Sequence, residues 1–329
     1  MTARRWLVGP PRLAAVVAVV AAGLTPSIST GGMKPAGVVG AGLLVISLVV
    51  GTPHGASDVT RLGRTPFRFL YKATLYAVCA LAVGFVWLLA PLWTVLALLV
   101  VSSGHFGVGD LDVSARLGES GSLRRIDGVM RVVAMGGIPV GIPLGLHGDA
   151  VLDTLDHLTA GHGAVVVVVC RSLLPVVAGA VLWTVVAAVG SRRDVVVDLL
   201  ALSTLFVVVS PLYAFAVYFG FWHAWRQTGL MVDAAVRGRA GTRPRWRRAL
   251  VLTGAASVAA FAATAAVVAA RPGPGVAVAA LVVVLCLTVP HTIVSSTARK
   301  ADGCTDGPGS AATTGSLLGG FATHVGQHR

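Results

Sequence analysis

Four histidines in this sequence lie near the ends of long apolar blocks and could bind one metal ion together: His54, His105, His223 and His291. Imidazole nitrogen binds Zn, Cu, Fe and Ni, so the ligand type alone does not choose the metal. A site of neutral nitrogens with an open coordination position can bind Fe(II) and O2. The pattern therefore predicts a metal centre built from histidines.

Two of these histidines are followed closely by an aspartate. Asp58 comes four residues after His54, and Asp110 comes five residues after His105. A carboxylate in such a position can accept the proton of the ring nitrogen that does not bind the metal. Taken singly, each histidine is more typical of an interfacial residue or of a polar group bonded to a neighbouring helix. Taken together they favour a functional site, because ionisable residues are costly inside membrane spans.

The composition indicates which kind of element positions these residues. Of the 329 residues, 55% are hydrophobic and 12% are charged, whereas soluble proteins carry about 25% charged residues. The net charge of +13 comes largely from arginines in short loops between apolar blocks, which is typical of cytoplasmic loops and not of a nucleic-acid-binding domain. The four cysteines form no CxxC pair, so we expect structural thiols. The sequence therefore predicts an all-α, polytopic transmembrane helical bundle without a nucleic-acid partner.

The apolar blocks predict about ten membrane spans. Their approximate limits are 13–28, 37–53, 69–90, 91–109, 128–147, 163–190, 197–210, 211–225, 249–270 and 275–297. The block from 197 to 225 is divided at Ser210-Pro211, because proline removes a helical hydrogen bond. The run from Leu13 to about Leu24 is a signal peptide, a signal anchor or a first span.

Arginine-rich loops orient these spans by the positive-inside rule. They place both termini and the loop at 237–248 in the cytoplasm, and the acidic loop at 149–162 outside. The spans that carry the four histidines then all run from outside to inside, which brings the four to the cytoplasmic leaflet. We expect a multi-pass protein of the cell membrane, in which residues 1–298 form one transmembrane helical domain. Residues 299–329 are expected to form a disordered cytoplasmic tail.

Four motifs resemble those of the Brp/Blh family, the bacterial and archaeal membrane β-carotene 15,15′-dioxygenases. Residues 53–58 (PHGASD) are similar to the family's PHGxxD motif, and residues 105–110 to its HFGxxD motif. Residues 211–223 are similar to its proline-rich span that ends in a histidine, and residues 289–291 to its VPH motif. The likeness extends in the family's order from about residue 51 to about residue 293, including its GG…P middle segment.

The resemblance implies that residues 1–298 form a carotenoid-cleavage domain, a non-haem iron enzyme that uses O2 to split the central 15,15′ double bond of β-carotene into two retinal molecules. It implies Fe(II) ligands at His54, His105 and His223. The family's fourth ligand is a histidine four residues after the third, and this chain has Gln227 there. An amide oxygen is a weaker iron ligand than imidazole, so His291 is the nearest candidate to complete the set. Cleavage at reduced efficiency, altered substrate choice and loss of activity all remain open.

The resemblance further implies β-carotene and O2 as substrates, the lipid bilayer as surroundings and a retinal-binding rhodopsin as a candidate partner. A family member that only binds carotenoid is one alternative, because of Gln227. A membrane transporter with a histidine metal site is another, but it should show internal repeats and mid-membrane charges, and only Arg171 lies well inside a predicted span. A diiron desaturase needs clustered HxxxH and HxxHH boxes, which this sequence lacks, since its HxxxH pair at His324 and His328 stands alone in the tail. A rhodopsin needs a lysine in mid-span, and this sequence has none there.

Two further groups of residues complete the predictions. Four glycines in one span either allow close helix packing, which we favour, or leave room for a polyene: Gly136, Gly137, Gly141 and Gly145. The remaining histidines fall in the outer loop or the tail and are expected to be solvated: His147, His157, His162, His324 and His328.

Overall fold

The computed structural model describes residues 3–24, 54–55, 58, 65–117, 124–230, 251, 255, 262 and 276–305. Its α-helices are α1 (Ala3–Leu24), α2 (Pro66–Leu89), α3 (Pro91–Arg116), α4 (Arg125–Leu146), α5 (Gly148–Thr159), α6 (Gly163–Ala188), α7 (Arg193–Val208), α8 (Pro211–Val217) and α9 (Val276–Thr305). A π-helical segment, Tyr218–Ala224, follows α8, and residues 225–230 return to α-helix. The all-α prediction is confirmed for these parts of the chain.

Within the described residues, four helices are long and apolar enough to cross a membrane: Phe67–Leu89 within α2, and the whole of α3, α4 and α6. The span in α2 has no buried side chain, and large apolar residues such as Leu81 and Leu89 are exposed along it. Exposed apolar surface of this extent is unfavourable in water. Helix α2 is therefore suited to contact with lipid.

The positions of several helices agree with the predicted spans. Helices α2, α3, α4 and α6 begin within a few residues of their predicted limits, whereas α1 begins earlier, at Ala3. Helix α7 ends at Val208 and α8 begins at Pro211, so the predicted break at Ser210-Pro211 is confirmed. Helix α9 continues to Thr305, into the segment predicted as a tail. The predicted spans 37–53 and 249–270 lie outside the described residues, except for three single positions in the second.

The acidic stretch predicted as an outer loop contains a helix, α5. Its Leu155 and Leu158 are buried and pack with Val166 of α6, while Asp153 is exposed. Trp87 of α2 donates a hydrogen bond to the backbone oxygen of Leu158 at 2.8 Å. Apolar residues three positions apart among acidic ones form an amphipathic helix, which explains why this stretch folds back onto the bundle.

Helix α4 lies at the centre of the bundle and contacts α3, α6 and α7. A Cβ atom at Gly136 would overlap the backbone oxygen of Ser103 in α3, and one at Gly137 would lie 2.7 Å from Val177 of α6. Glycine at these positions lets two helices approach α4 closely on two faces. The interpretation of these glycines as packing residues is therefore confirmed at Gly136 and Gly137.

Candidate metal centre

The four histidines predicted as ligands lie together, although they come from distant parts of the chain. His105 lies in α3, His223 in the π-helical segment, His291 in α9, and His54 in the short described segment at 54–55. The ring centroid of His54 is 5.0 Å from that of His223 and 4.8 Å from that of His291. The ring centroid of His105 is 5.1 Å and 4.8 Å from the same two rings.

Three of the four rings offer nitrogens close enough to share a metal ion. One ring nitrogen each of His54, His105 and His223 lies within 4.8 Å of the other two. The three residues are 6%, 7% and 4% exposed. Imidazole nitrogens lie about 2.0–2.1 Å from a bound zinc ion, so two of them on one ion are at most about 4 Å apart. Small side-chain rotations would bring the three nitrogens to metal-binding distance. Neutral nitrogen donors fit a divalent transition metal such as Fe(II).

His291 lies beside this triad and is held by Asp58. Its Nδ1 atom lies 2.7 Å from Asp58 Oδ2, and the Tyr76 hydroxyl donates to the same oxygen at 3.4 Å. If Nδ1 carries the proton, Nε2 has a lone pair available for a metal. Asp58 thus contacts a candidate ligand, as the sequence predicted, but one that is 233 positions away in the chain.

Gln227 lies next to the triad, at the position where the resemblance implies a histidine. A Cβ atom at Gly109 of α3 would be 3.0 Å from Gln227 Nε2 and 3.5 Å from His223 Cε1, so both side chains lie over that glycine. Gln227 Nε2 also donates a hydrogen bond to the Gly109 oxygen at 2.9 Å. The amide therefore connects this segment to α3.

Asp110 bonds to arginines, whereas the sequence suggested a histidine partner. Its Oδ1 accepts a hydrogen bond from Arg226 Nη1 at 2.7 Å, and its Oδ2 is 3.6 Å from Arg131 Nη2. Arg226 also pairs with Asp198. Further ion pairs extend the group, and we call its six members the ion-pair cluster: Arg12, Asp110, Arg131, Asp194, Asp198 and Arg226.

The sequence patterns did not predict this cluster. They indicate Arg171 as the only charge well inside a predicted span, yet Arg131, Asp198 and Arg226 are all buried in the helices. Arg171 donates to the backbone oxygen of Gly145 at 3.3 Å. Arg131 and Asp198 lie just inside the starts of the predicted spans 128–147 and 197–210, and Arg226 follows the predicted span that ends at residue 225. Treating each charge within or next to an apolar block as a functional candidate would have found them.

Aromatic rings border the histidines on one side. The Phe106 centroid is 4.8 Å from that of His223 and 5.2 Å from that of Tyr218. Phe215 is 6.4 Å from Phe106 and stacks on Phe219 at 6.0 Å. These rings form an apolar wall next to the candidate metal centre.

The other described histidines are bonded to backbone oxygens away from this centre. His147 Nε2 lies 3.0 Å from the oxygen of Val207, and His157 Nδ1 lies 2.7 Å from that of Asp153. His162 Nδ1 lies 3.0 Å from the oxygen of Thr159. His324 and His328 lie outside the described residues.

Apolar helices of membrane-spanning length around a buried histidine triad define a membrane-associated helical protein with a candidate transition-metal centre. The family described as "Beta-carotene 15,15'-dioxygenase" matches residues 45–298, which include all four histidines. The chain belongs to this family. It is 29% identical to the "Probable beta-carotene 15,15'-dioxygenase Blh" of Halobacterium salinarum over 256 residues, 71% of this chain and 74% of the relative. No solved structure matches.

Proposed function

We propose that this protein is a non-haem Fe(II) dioxygenase that cleaves the central 15,15′ double bond of β-carotene with O2 to give two retinal molecules. The buried triad of His54, His105 and His223 carries the proposal, because its ring nitrogens lie within 4.8 Å of one another in a member of the β-carotene dioxygenase family. Both oxygen atoms of O2 would end in the products, one in each aldehyde.

The residues around the centre have roles that fit this reaction. The triad would hold Fe(II), which supplies the O2 chemistry that cleavage of a carbon–carbon double bond requires. Burial of the three rings keeps bulk water away, which protects a reactive site from side reactions. The aromatic rings of Phe106, Tyr218 and Phe215 pack beside the triad, and largely apolar surroundings of this kind suit a hydrocarbon polyene.

His291 is our proposed fourth ligand. Its ring lies 4.8 Å from those of both His54 and His105, and Asp58 fixes its orientation. Gln227 is instead a structural amide in this proposal, since its Nε2 is bonded to the Gly109 oxygen.

A second candidate function is carotenoid binding without cleavage. The observation that favours it is Gln227, which replaces an imidazole with a weaker ligand next to the triad. A protein of this kind would keep the aromatic wall and bind carotenoid, but it would form no retinal.

We also propose that the chain is a multi-pass protein of the cell membrane with about ten spans and both termini in the cytoplasm. The positive-inside pattern of its arginines and the four membrane-length helices support this arrangement. Retinal formed in the bilayer would be available to a retinal-binding rhodopsin as a partner.

Expression in cells that accumulate β-carotene tests the enzymatic function. We expect the unmodified chain to form retinal, measured by chromatography of cell extracts. His54→Ala, His105→Ala and His223→Ala should each lower bound iron and retinal by about tenfold or more, with the protein still in the membrane fraction. His157→Ala is the matched control and should change neither quantity, because its ring bonds to the backbone of α5.

Two outcomes would contradict the proposal. Full retinal production by His54→Ala would show that the triad does not hold the catalytic metal. Purified wild-type protein that contains intact carotenoid but yields no retinal would support the binding function instead.

A further inference from the structure

One guanidinium group connects three helices of the bundle. Arg226 Nη1 donates to Asp110 of α3 at 2.7 Å, Nη2 donates to Asp198 of α7, and Nε donates to the backbone oxygen of Leu7 in α1 at 3.4 Å. The side chain is only 3% exposed, and its guanidinium carbon lies 4.5 Å from the ring centre of Trp222. All three nitrogen positions of this arginine are therefore used.

These contacts lie close in the chain to two of the proposed metal ligands. Asp110 follows His105 by five residues on α3, and Arg226 follows His223 by three residues. The ion pair between Asp110 and Arg226 therefore connects the two helical segments that present His105 and His223. The hydrogen bond from Gln227 to Gly109 connects the same two segments, one residue after Arg226 on one segment and one residue before Asp110 on α3.

The charges of the ion-pair cluster balance one another. Three arginines face three aspartates, so the group has no formal net charge that would call for an anionic ligand. Removal of one partner from a buried pair leaves a charge without compensation, which forces the surrounding helices to adjust. An adjustment between α3 and the segment after Tyr218 would change the spacing of the histidines.

Arginine is specifically suited to this position. A planar guanidinium can bond to two carboxylates and a backbone oxygen at once and also stack on an aromatic ring. A lysine ammonium keeps the charge, but it is a single point that cannot reach Asp110, Asp198 and Leu7 in the same geometry.

We propose that Arg226 and Asp110 are positioning residues that set the distance between His105 and His223. The inference rests on the proposed metal site, and it adds that the affinity of the site depends on an ion pair that does not itself contact the metal. In the outer part of the ion-pair cluster, Arg12 bonds to Asp194 and, through its Nε atom, to Asp198 at 2.7 Å. These bonds join α1 to α7 and lie one side chain removed from Arg226.

That difference supplies matched control variants. Arg226→Lys and Asp110→Asn test the proposed pair, and Arg12→Lys and Asp194→Asn make the same changes in the outer part of the cluster. Each variant is purified in detergent without metal and titrated with Co(II), whose visible absorption reports the number and geometry of its ligands. Thermal unfolding without metal is measured in parallel.

We expect Arg226→Lys and Asp110→Asn to bind Co(II) about tenfold or more weakly, with altered visible bands. Arg12→Lys and Asp194→Asn should lower the unfolding temperature but keep the wild-type affinity and bands. Asp110→Glu, which keeps the carboxylate, should recover part of the affinity.

The inference is wrong if Arg226→Lys and Asp110→Asn both keep the wild-type Co(II) affinity and visible bands. It is also wrong if they lose no more Co(II) affinity than the two control variants. Failure of both to fold would also count against it, because it would assign the pair to stability alone. Failure of the proposed function has a different signature, since wild-type protein would then bind no Co(II), or bind it equally well after His54→Ala.

Discussion

At the scale of single residues, His291 and Gln227 are the two candidates for the fourth ligand position of the proposed metal site. His291 comes from α9, yet its ring lies within 4.8 Å of those of His54 and His105, and Asp58 orients it. Gln227 lies beside His223 and bonds to the backbone of α3. These contacts suit His291 to the role of fourth ligand and Gln227 to that of a structural amide.

Substitution at these two positions separates the alternatives. His291→Ala should lower iron affinity and retinal formation by about tenfold or more, because it removes a proposed ligand and leaves Asp58 without its histidine partner. Gln227→His should change iron content little, because the position faces the Gly109 oxygen. Bound iron is measured by elemental analysis of the purified variants and retinal by chromatography.

The reverse pattern would contradict this assignment. Higher iron occupancy in Gln227→His together with full activity in His291→Ala would make residue 227 the fourth ligand position. No change in either variant would indicate a centre of three histidines.

At the scale of helices, the π-helical segment and the close contact of α3 with α4 position the triad. His223 lies in the seven-residue segment Tyr218–Ala224, in which the Trp225 N–H bonds to the oxygen of Gly220, five residues earlier. Such segments occur often at functional sites, because they turn a side chain out of regular α-helical register. On α3, His105 precedes Gly107 by two residues, and a Cβ atom at Gly107 would overlap the backbone oxygen of Val132 in α4.

This contact predicts different effects for two glycines of the same helix. Gly107→Ala should destabilise the protein by about 1–3 kcal/mol and lower metal affinity, because α3 must move away from α4 and takes His105 with it. Gly104→Ala is the control, since a Cβ atom there meets nothing within 4 Å. We expect it to be neutral or stabilising by up to about 1 kcal/mol. Thermal unfolding of both variants in detergent measures the difference, and equal stability of the two would show that the contact is not tight.

At the scale of the whole molecule, the proposed topology decides whether the four histidines share one leaflet. Two described features bear on it: α5 occupies the stretch predicted to face outside, and the break at Ser210-Pro211 divides α7 from α8. The loop at 237–248 lies outside the described residues, so its side of the membrane is a prediction from its arginines.

Cysteine labelling of intact cells tests this topology. In a background without Cys79, Cys170, Cys286 and Cys304, Asp153→Cys should react with a membrane-impermeant maleimide, because its side chain is 94% exposed on α5. Gly241→Cys should react only after the cells are opened. Reaction of Gly241→Cys in intact cells would place that loop outside and contradict the paired segments at 197–225.

The sequence by itself determined the all-α class, the approximate starts of four long helices and the candidate ligands, because all of these depend on local patterns. Apolar runs, the proline after Ser210 and the histidine motifs are properties of short segments, and the structure has a helix break at Ser210-Pro211 and brings His54, His105 and His223 together. The partners of the polar side chains depended instead on the tertiary structure. Asp58 bonds to His291, and Asp110 bonds to Arg226, because the rotation and tilt of packed helices decide which side chains meet. That packing is set by contacts such as those of the α4 glycines, which join residues far apart in the chain.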